Sequence, residues 1–176
     1  KDLTEVVVAR DGLAIIVHPS NPVSGLSISE VRQIFAGAKR NWKEFGGRDK
    51  EITVVTREEG SGTRGAFQEL VMGKVRITKG AIVEDSNGTV REIIAGDLHS
   101  IGYISLGLVN DRVKALRLDE VEANEENIIN NRYKLVRPFL FVTKGLPSGE
   151  AKRFIDFVLS QEGQELIKKE GLIAVQ

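Results

Sequence analysis

The sequence predicts an α/β fold built on a mixed, mostly parallel sheet flanked by helices. Three observations point there. Short apolar, β-branched runs alternate with stretches whose apolar residues recur at helical spacing, as strand–helix–strand units do. The helical stretches are short, with Ser or Asn placed to cap their starts and Gly placed where they should stop. Composition is that of a globular protein, 41% hydrophobic and 28% charged, in 176 residues that suffice for one core or for two small lobes sharing a hinge.

In order, residues 5–9 and 13–18 read as two strands separated by Arg10, Asp11 and Gly12. The loop PSNPVSGLS leads to a helix with a capping-box signature, Ser27 with Glu30, and an apolar stripe of Ile28, Val31, Ile34 and Phe35 that Gly37 ends. The polar stretch KRNWKEFGGRDKEI follows, with Trp42 as a loop anchor, then a short strand at 52–55. A helix over 63–72 carries Phe67, Leu70 and Val71 and stops at Gly73. Residues 81–83 form a strand, Ser86 or Asn87 caps a helix bearing Val90, Ile93 and Ile94, and SIGYISLGLV reads as a buried strand. LDEVEANEENIINNRYKLVRP reads as a solvated helix and connector before the strand PFLFVT. Ser148 is placed to cap a helix bearing Phe154, Ile155 and Val158, and Ser160 a last one bearing Leu166 and Ile167, closed by Gly171.

Lys plus Arg and Asp plus Glu both number 25, so no global field draws the chain to nucleic acid or to a membrane surface, and any anion site must be local. There is no cysteine, which excludes a disulfide framework, a thiolate metal site and a Cys nucleophile. No apolar run reaches the roughly 20 residues that span a bilayer. The opening KDLTEVVVAR has acids where a secretory leader carries basic residues, so a cytoplasmic protein or one whose leader has been removed is expected.

The most informative stretch is TREEGSGTRGAF, residues 56–67. Between a strand and a helix, Gly60, Ser61 and Gly62 form the loop at the carboxyl end of the strand, where ligands bind in open α/β sheets. A helix start offers backbone N–H groups without intrahelical partners and the positive end of the macrodipole. Glycines allow backbone approach, Ser61 and Thr63 add hydroxyls, and Arg57 offers a planar fork suited to two oxygens of phosphate or sulfate. Glu58 or Glu59 would hold the guanidinium in one rotamer. The spacing alone is equally compatible with a Ser-capped helix after a flexible Gly turn.

Other chemistries find less support. G-x-x-x-x-G-K-[ST] is absent, as is G-x-S-x-G around Ser61. The only histidines, His18 and His99, lie far apart in sequence and make a poor metal set or catalytic base. The pairs Glu58/Glu59 and Glu125/Glu126 read as solvated faces, and the aromatics as core. SNGTV repeats the small-polar design before a helix, with capping as its first role and cleft lining as its second. A binding protein rather than an enzyme is expected, with no cofactor.

Several blocks together carry a resemblance: ARDGLAIIVHPSNPVSGLS, IFAGAKRNWKEFGG, VVTREEGSGTRGAFQELV, DSNGTVREIIAGDLHSIGYISLG and VRPFLFVTKGLPSGEAKRFIDFVLSQEGQELIKKEG. In sequence and order they resemble the phosphate-binding proteins of phosphate ABC transporters, over nearly the whole chain. The resemblance implies a type II periplasmic-binding-protein-like fold, two α/β lobes closing on inorganic phosphate, which is handed to membrane permease subunits. It implies phosphate contacts from Arg57, Ser61, Gly62 and Thr63, with Gly60 supporting and Glu59 pairing with the arginine. It assigns 11–136 to one complete lobe, and 1–10 and 137–176 to hinge strands and part of the other. The family's further Ser/Thr loop, serine and aspartate, the last of which selects phosphate over sulfate, have no counterpart in these residues. The expected setting is extracytoplasmic, periplasmic or cell-surface, with a lipid anchor as one form of attachment. Incomplete cover over Phe154, Phe157 and Leu166 would favour self-association or domain swapping. A sensor or scaffold module on the same fold, or a receptor for another oxyanion such as sulfate, is the alternative.

Overall fold

One long strand organises the molecule, whose structure is a computed structural model describing residues 2–175. Strand β1 (Leu3–Val17) has two halves with different neighbours. Its second half pairs antiparallel with β5 (Ser100–Ser105), from Leu13 opposite Ser105 to Val17 opposite Ile101, and with the short β6 (Lys114–Ala115). Its first half pairs antiparallel with β8 (Val136–Lys144), with a register shift between Val7 and Ala9. On the far side of β5 lies β3 (Thr53–Arg57), parallel to both β5 and β4 (Ile82–Glu84), giving the order β4-β3-β5-β1-β6. A separate parallel pair joins β2 (Gly25–Leu26) to β7 (Arg117–Leu118).

The sheet is mixed and flanked by helices, as expected, but its parallel share is smaller than expected. Parallel neighbours need a crossover of a dozen or more residues, and in this sheet only the segments through the helices between β3, β4 and β5 supply one. β1 is antiparallel to all three of its partners.

The two strands expected at 5–9 and 13–18 are one. Arg10-Asp11-Gly12 has the composition of a turn, yet tertiary partners hold it extended. Arg10 exchanges both backbone hydrogen bonds with Ile173, Asp11 is buried against Arg137 and Ser105, and a side chain at Gly12 would meet Ile128 Cδ1 at 2.5 Å.

The run LAIIV is apolar throughout because both faces of β1 are covered there. Leu13, Ile15 and Val17 face one core with Phe35, Phe67 and Tyr103, while Ala14 and Ile16 face a second with Val55, Val90 and Ile94. Helix α1 (Ile28–Phe35) has the full capping box, Glu30 N–H donating to Ser27 Oγ at 3.1 Å and Ser27 N–H to Glu30 Oε2 at 2.7 Å. Trp42 opens a short 3₁₀ turn (Trp42–Phe45) and is buried in the first core, its Nε1 donating to His99 O at 2.8 Å.

The helix expected over 63–72 divides. α2 (Gly62–Phe67) is α-helical, and Gln68–Met72 widens to a π turn, closed by Gly73 N–H donating to Gln68 O at 2.7 Å. The Gln68 amide bridges to Gly73 O and Val75 O, which favours the wider turn. α3 (Asn87–Gly96) is capped by Ser86.

The segment expected to be solvated is only partly so. Its helix α4 (Glu125–Ile129) is short, and Ile128, Tyr133 and Leu135 join the first core, with Tyr133 Oη donating to Leu13 O at 2.7 Å. Apolar residues scattered among charged ones hid this burial. The last helices are α5 (Gly149–Leu159) and α6 (Gln161–Lys169). Ser160 caps α6 through its side chain, whereas Ser148 stands at the cap position of α5 without a side-chain hydrogen bond.

Candidate functional site

The site grows from the parallel part of the sheet. β3 ends at Arg57, and the chain turns through Gly60 into α2. Gly60 has φ +94°, a left-handed conformation that glycine adopts without strain, so this turn demands the residue type found there. Beneath α2, Phe67 stacks on Tyr103 of β5 with ring centroids 4.0 Å apart, and Phe35 leans on Phe67 at 4.6 Å. Tyr103 Oη lies 2.7 Å from Thr56 Oγ1 and accepts the Arg57 N–H at 3.3 Å. Burial raises the Tyr103 phenol above its ordinary pKa, so it remains a neutral hydroxyl that ties strand end, helix and sheet together.

Ser61 is the N-cap of α2. Its Oγ accepts from Arg64 N–H at 3.1 Å and its carbonyl from Gly65 N–H at 2.9 Å. Among the described residues the N–H groups of Gly62 and Thr63 have no hydrogen-bond partner, as the first turn of a helix requires unless something outside supplies one. Ser61, Gly62 and Thr63 are thus consecutive, with hydroxyls and free amides at one helix start, and Thr63 is only 5% exposed.

Arg57 is 9% exposed and heavily engaged. Its Nε donates to Glu58 Oε2 at 2.9 Å and its Nη2 to Glu58 Oε1 at 3.0 Å and to Asp85 O at 3.1 Å. Nη1 donates to Asn87 Oδ1 at 3.3 Å, which leaves one N–H of that nitrogen without a protein acceptor. The fork expected to hold two anion oxygens is therefore occupied by Glu58. The expected pairing of Arg57 with Glu59 is corrected too: Glu58 makes the ion pair, and Glu59 makes none with Arg57. Glu58 still follows the β3–β4 ladder, its N–H donating to Glu84 O, whereas Glu59 lies in the turn beyond. The Arg57 hydrogen bond holds the Glu58 carboxyl below its ordinary pKa.

Three neighbours of the site, Arg64, Arg137 and Asp11, escaped the sequence reading, and a fourth, Asn87, fell only under the second role given to SNGTV. Asn87 reaches Arg57, so SNGTV serves both the cap and the site. Arg64 Nη1 donates to Arg57 O at 2.6 Å, bracing the strand end from the helix. Arg137 of β8 approaches Thr63, its Nη2 3.4 Å from Thr63 Oγ1, and is itself paired with Asp11 of β1. The available signal for Asp11 was an acid set between two apolar strands. His18 Nδ1 accepts from Ser20 N–H, and among the described residues no cluster of three or more His, Cys, Asp or Glu could hold a metal. No described helix is long and apolar enough to cross a membrane.

Known proteins resemble this chain in sequence and in fold. The PBP superfamily domain matches residues 1–162. A phosphate-binding protein PstS of Bacillus subtilis is 37% identical over 177 residues, covering 99% of this chain and 59% of that protein. A protein of Clostridium perfringens assigned as a phosphate ABC transporter substrate-binding protein, solved with bound phosphate, is 46% identical with TM-score 0.88, covering 99% of this chain and 72% of that one. An ABC-type phosphate transport receptor of Vibrio cholerae is 36% identical with TM-score 0.91, covering 98% and 73%. The chain belongs to the PBP superfamily and, within it, to the PstS family. This PstS-family chain spans 59% of the length of its B. subtilis relative. The likeness extends over both halves of β1 and over β8, α5 and α6 as well as over the α2 site.

Proposed function

We propose that this chain binds inorganic phosphate at the head of α2, without chemistry, as part of an extracytoplasmic receptor that delivers the ion to the permease of an ABC transporter. The observation that supports the reading is a set of unused donors where β3 ends and α2 begins: the free amides of Gly62 and Thr63, the hydroxyls of Ser61 and Thr63, and the remaining Nη1 hydrogen of Arg57. The relatives' names, phosphate-binding protein and phosphate transport receptor, agree with it. In this reading Glu58 restrains Arg57, so that recognition rests on oriented dipoles as much as on net charge. Gly60 supports the turn, and Glu59 remains near it without pairing.

Residues 11–136 are read as one complete lobe, and 1–10 with 137–176 as hinge strands and part of the other. The facing half of the site is assigned to a portion of the longer relatives that this chain does not span. All the groups gathered at α2 donate, which suits phosphate and sulfate alike; discrimination needs an acceptor for a phosphate proton from the facing half. The exposed Phe154, Phe157 and Leu166 belong to the same reading, as a face that drives self-association of the chain on its own.

Calorimetric titration with phosphate tests the site directly. Arg57→Ala should weaken binding about tenfold or more, since it removes a charge-assisted donor and leaves Glu58 unpaired. Unchanged affinity would remove Arg57 from the site.

A further inference from the structure

Arg137 is the cation that the site does not yet explain. It lies on β8 directly opposite Asp11 on β1, in the stretch where the two strands pair. Asp11 is 1% exposed and meets three protein donors: Oδ1 accepts from Ser105 Oγ at 2.5 Å, and Oδ2 accepts from Arg137 Nε at 3.1 Å and Nη2 at 2.8 Å. A buried carboxylate with three donors fixes the guanidinium it faces, because leaving that charge unpaired in the interior is costly. Phe139 supports the same guanidinium from one face, its ring centre 5.2 Å from Cζ.

The far edge of this fixed group meets the head of α2. Nη2 donates to Thr63 Oγ1 at 3.4 Å, and Nη1 stands 3.0 Å from where a side chain at Gly62 would begin. A side chain at 62 would therefore press on the Arg137 guanidinium as well as stand in the way of a ligand approaching the backbone. A threonine hydroxyl has one hydrogen to give and two lone pairs to offer. With one lone pair taken by Arg137, and no acceptor for its hydrogen among the described residues, the Thr63 hydroxyl is left to donate outward, beside the free amides of Gly62 and Thr63.

On the phosphate reading of the site, we propose that Arg137, held by Asp11, is a positioning residue: it sets the Thr63 hydroxyl as a donor to the bound oxyanion and ties that donor to the β1–β8 pairing. The ion need not touch Arg137. The contact also means that any change of twist between β1 and β8 alters the orientation of a donor in the site.

A double-mutant cycle in the full chain, read by titration of inorganic phosphate, tests this. Arg137→Gln should weaken phosphate binding about tenfold when Thr63 is present and less than about twofold when Thr63 is already Val, because the effect passes through that hydroxyl. Arg137→Lys keeps a charge for Asp11 but loses the planar fork. It should restore the thermal midpoint without restoring phosphate affinity, a split that a purely structural ion pair would not show. Because Arg137→Gln strands a buried carboxylate, the pair Asp11→Asn with Arg137→Gln removes both charges together and should keep the tenfold loss in a folded chain. Wild-type affinity in that folded pair, or equal losses with and without the Thr63 hydroxyl, would overturn the inference. Arg57→Ala separates the two levels. If it weakens binding while Arg137→Gln does not, only the positioning role fails; if Arg57→Ala binds as wild type, the site reading fails first.

Discussion

The two ends of β1 serve regions written in the same grammar with opposite outcomes. Around its second half, the apolar stripes of α1, α2 and α3 all find cover, and Ile34, Phe35, Phe67 and Ile94 are fully buried. Around its first half, α5 and α6 show equally regular stripes, yet Phe154 is 58% exposed, Phe157 and Leu166 are exposed as well, and Ile155 is the one buried apolar side chain of α5. Helical periodicity thus specifies a face, and says nothing of what will lie against it. The second region is held by other means: the β1–β8 ladder, the contact of Phe141 with Phe154 at 5.5 Å, and the buried Gln164. The Gln164 amide donates to Val8 O at 3.0 Å and Val158 O at 2.8 Å and accepts from Val175 N–H at 2.8 Å, joining strand, helix and terminal segment.

The contrast is broken most directly by truncating one aromatic in each region. Phe67→Ala should cost about 3–5 kcal/mol in urea unfolding, since it opens a cavity beneath α2 and removes the Tyr103 stack. Phe154→Ala should cost no more than about 0.5–1 kcal/mol. Equal losses would mean that the α5–α6 face is covered in solution. Next in size, Gln164→Ala should destabilise by about 1–3 kcal/mol through the backbone groups it leaves unpaired. Amide exchange should speed up in α5 and the terminal segment while β3 and β5 stay protected; uniform loss of protection would merge the two regions into one cooperative unit.

Helix starts sharpen the contrast on a finer scale. Ser27→Ala should cost about 1 kcal/mol, because it dismantles both halves of the α1 capping box. Ser148→Ala should cost nearly nothing, its hydroxyl making no cap hydrogen bond. Smallest is the acid response of Glu58, whose carboxyl should titrate below the ordinary 4.5 in carbon-detected NMR and return toward it in Arg57→Ala. A lowered folded-state pKa makes the pair's contribution present above the unfolded value and lost as pH falls through the folded one. Stability from this pair should accordingly fade only at strongly acid pH, and slightly, since Glu58 is exposed to solvent.

What was legible in the sequence was what neighbours along the chain decide. The Ser27–Glu30 box, the Ser86 and Ser160 caps and the Gly60 turn are local codes, and each is found where the residues place it. The fold of the parallel unit followed from them, and Arg57, Ser61, Gly62 and Thr63 do stand together at the end of β3 and start of α2. What escaped depends on partners distant in sequence. Arg10-Asp11-Gly12 looks like a turn until Ile173, Arg137 and Ser105 are brought to it. The residues left the partner of Arg57 open between Glu58 and Glu59, and the resemblance pointed to Glu59; the two adjacent acids differ only in which one still follows the strand ladder. Arg137, 74 residues from Thr63 along the chain, carried no local mark at all.

The continuity of β1 gives the molecule a mechanical character. A single ribbon of fifteen residues carries the well-packed unit at one end and the sparsely covered helices at the other, with its only irregularity, between Val7 and Ala9, lying on the β8 side. At that irregularity Val8 drops out of the β8 ladder, so this is the point along β1 where strand pairing least restrains twist.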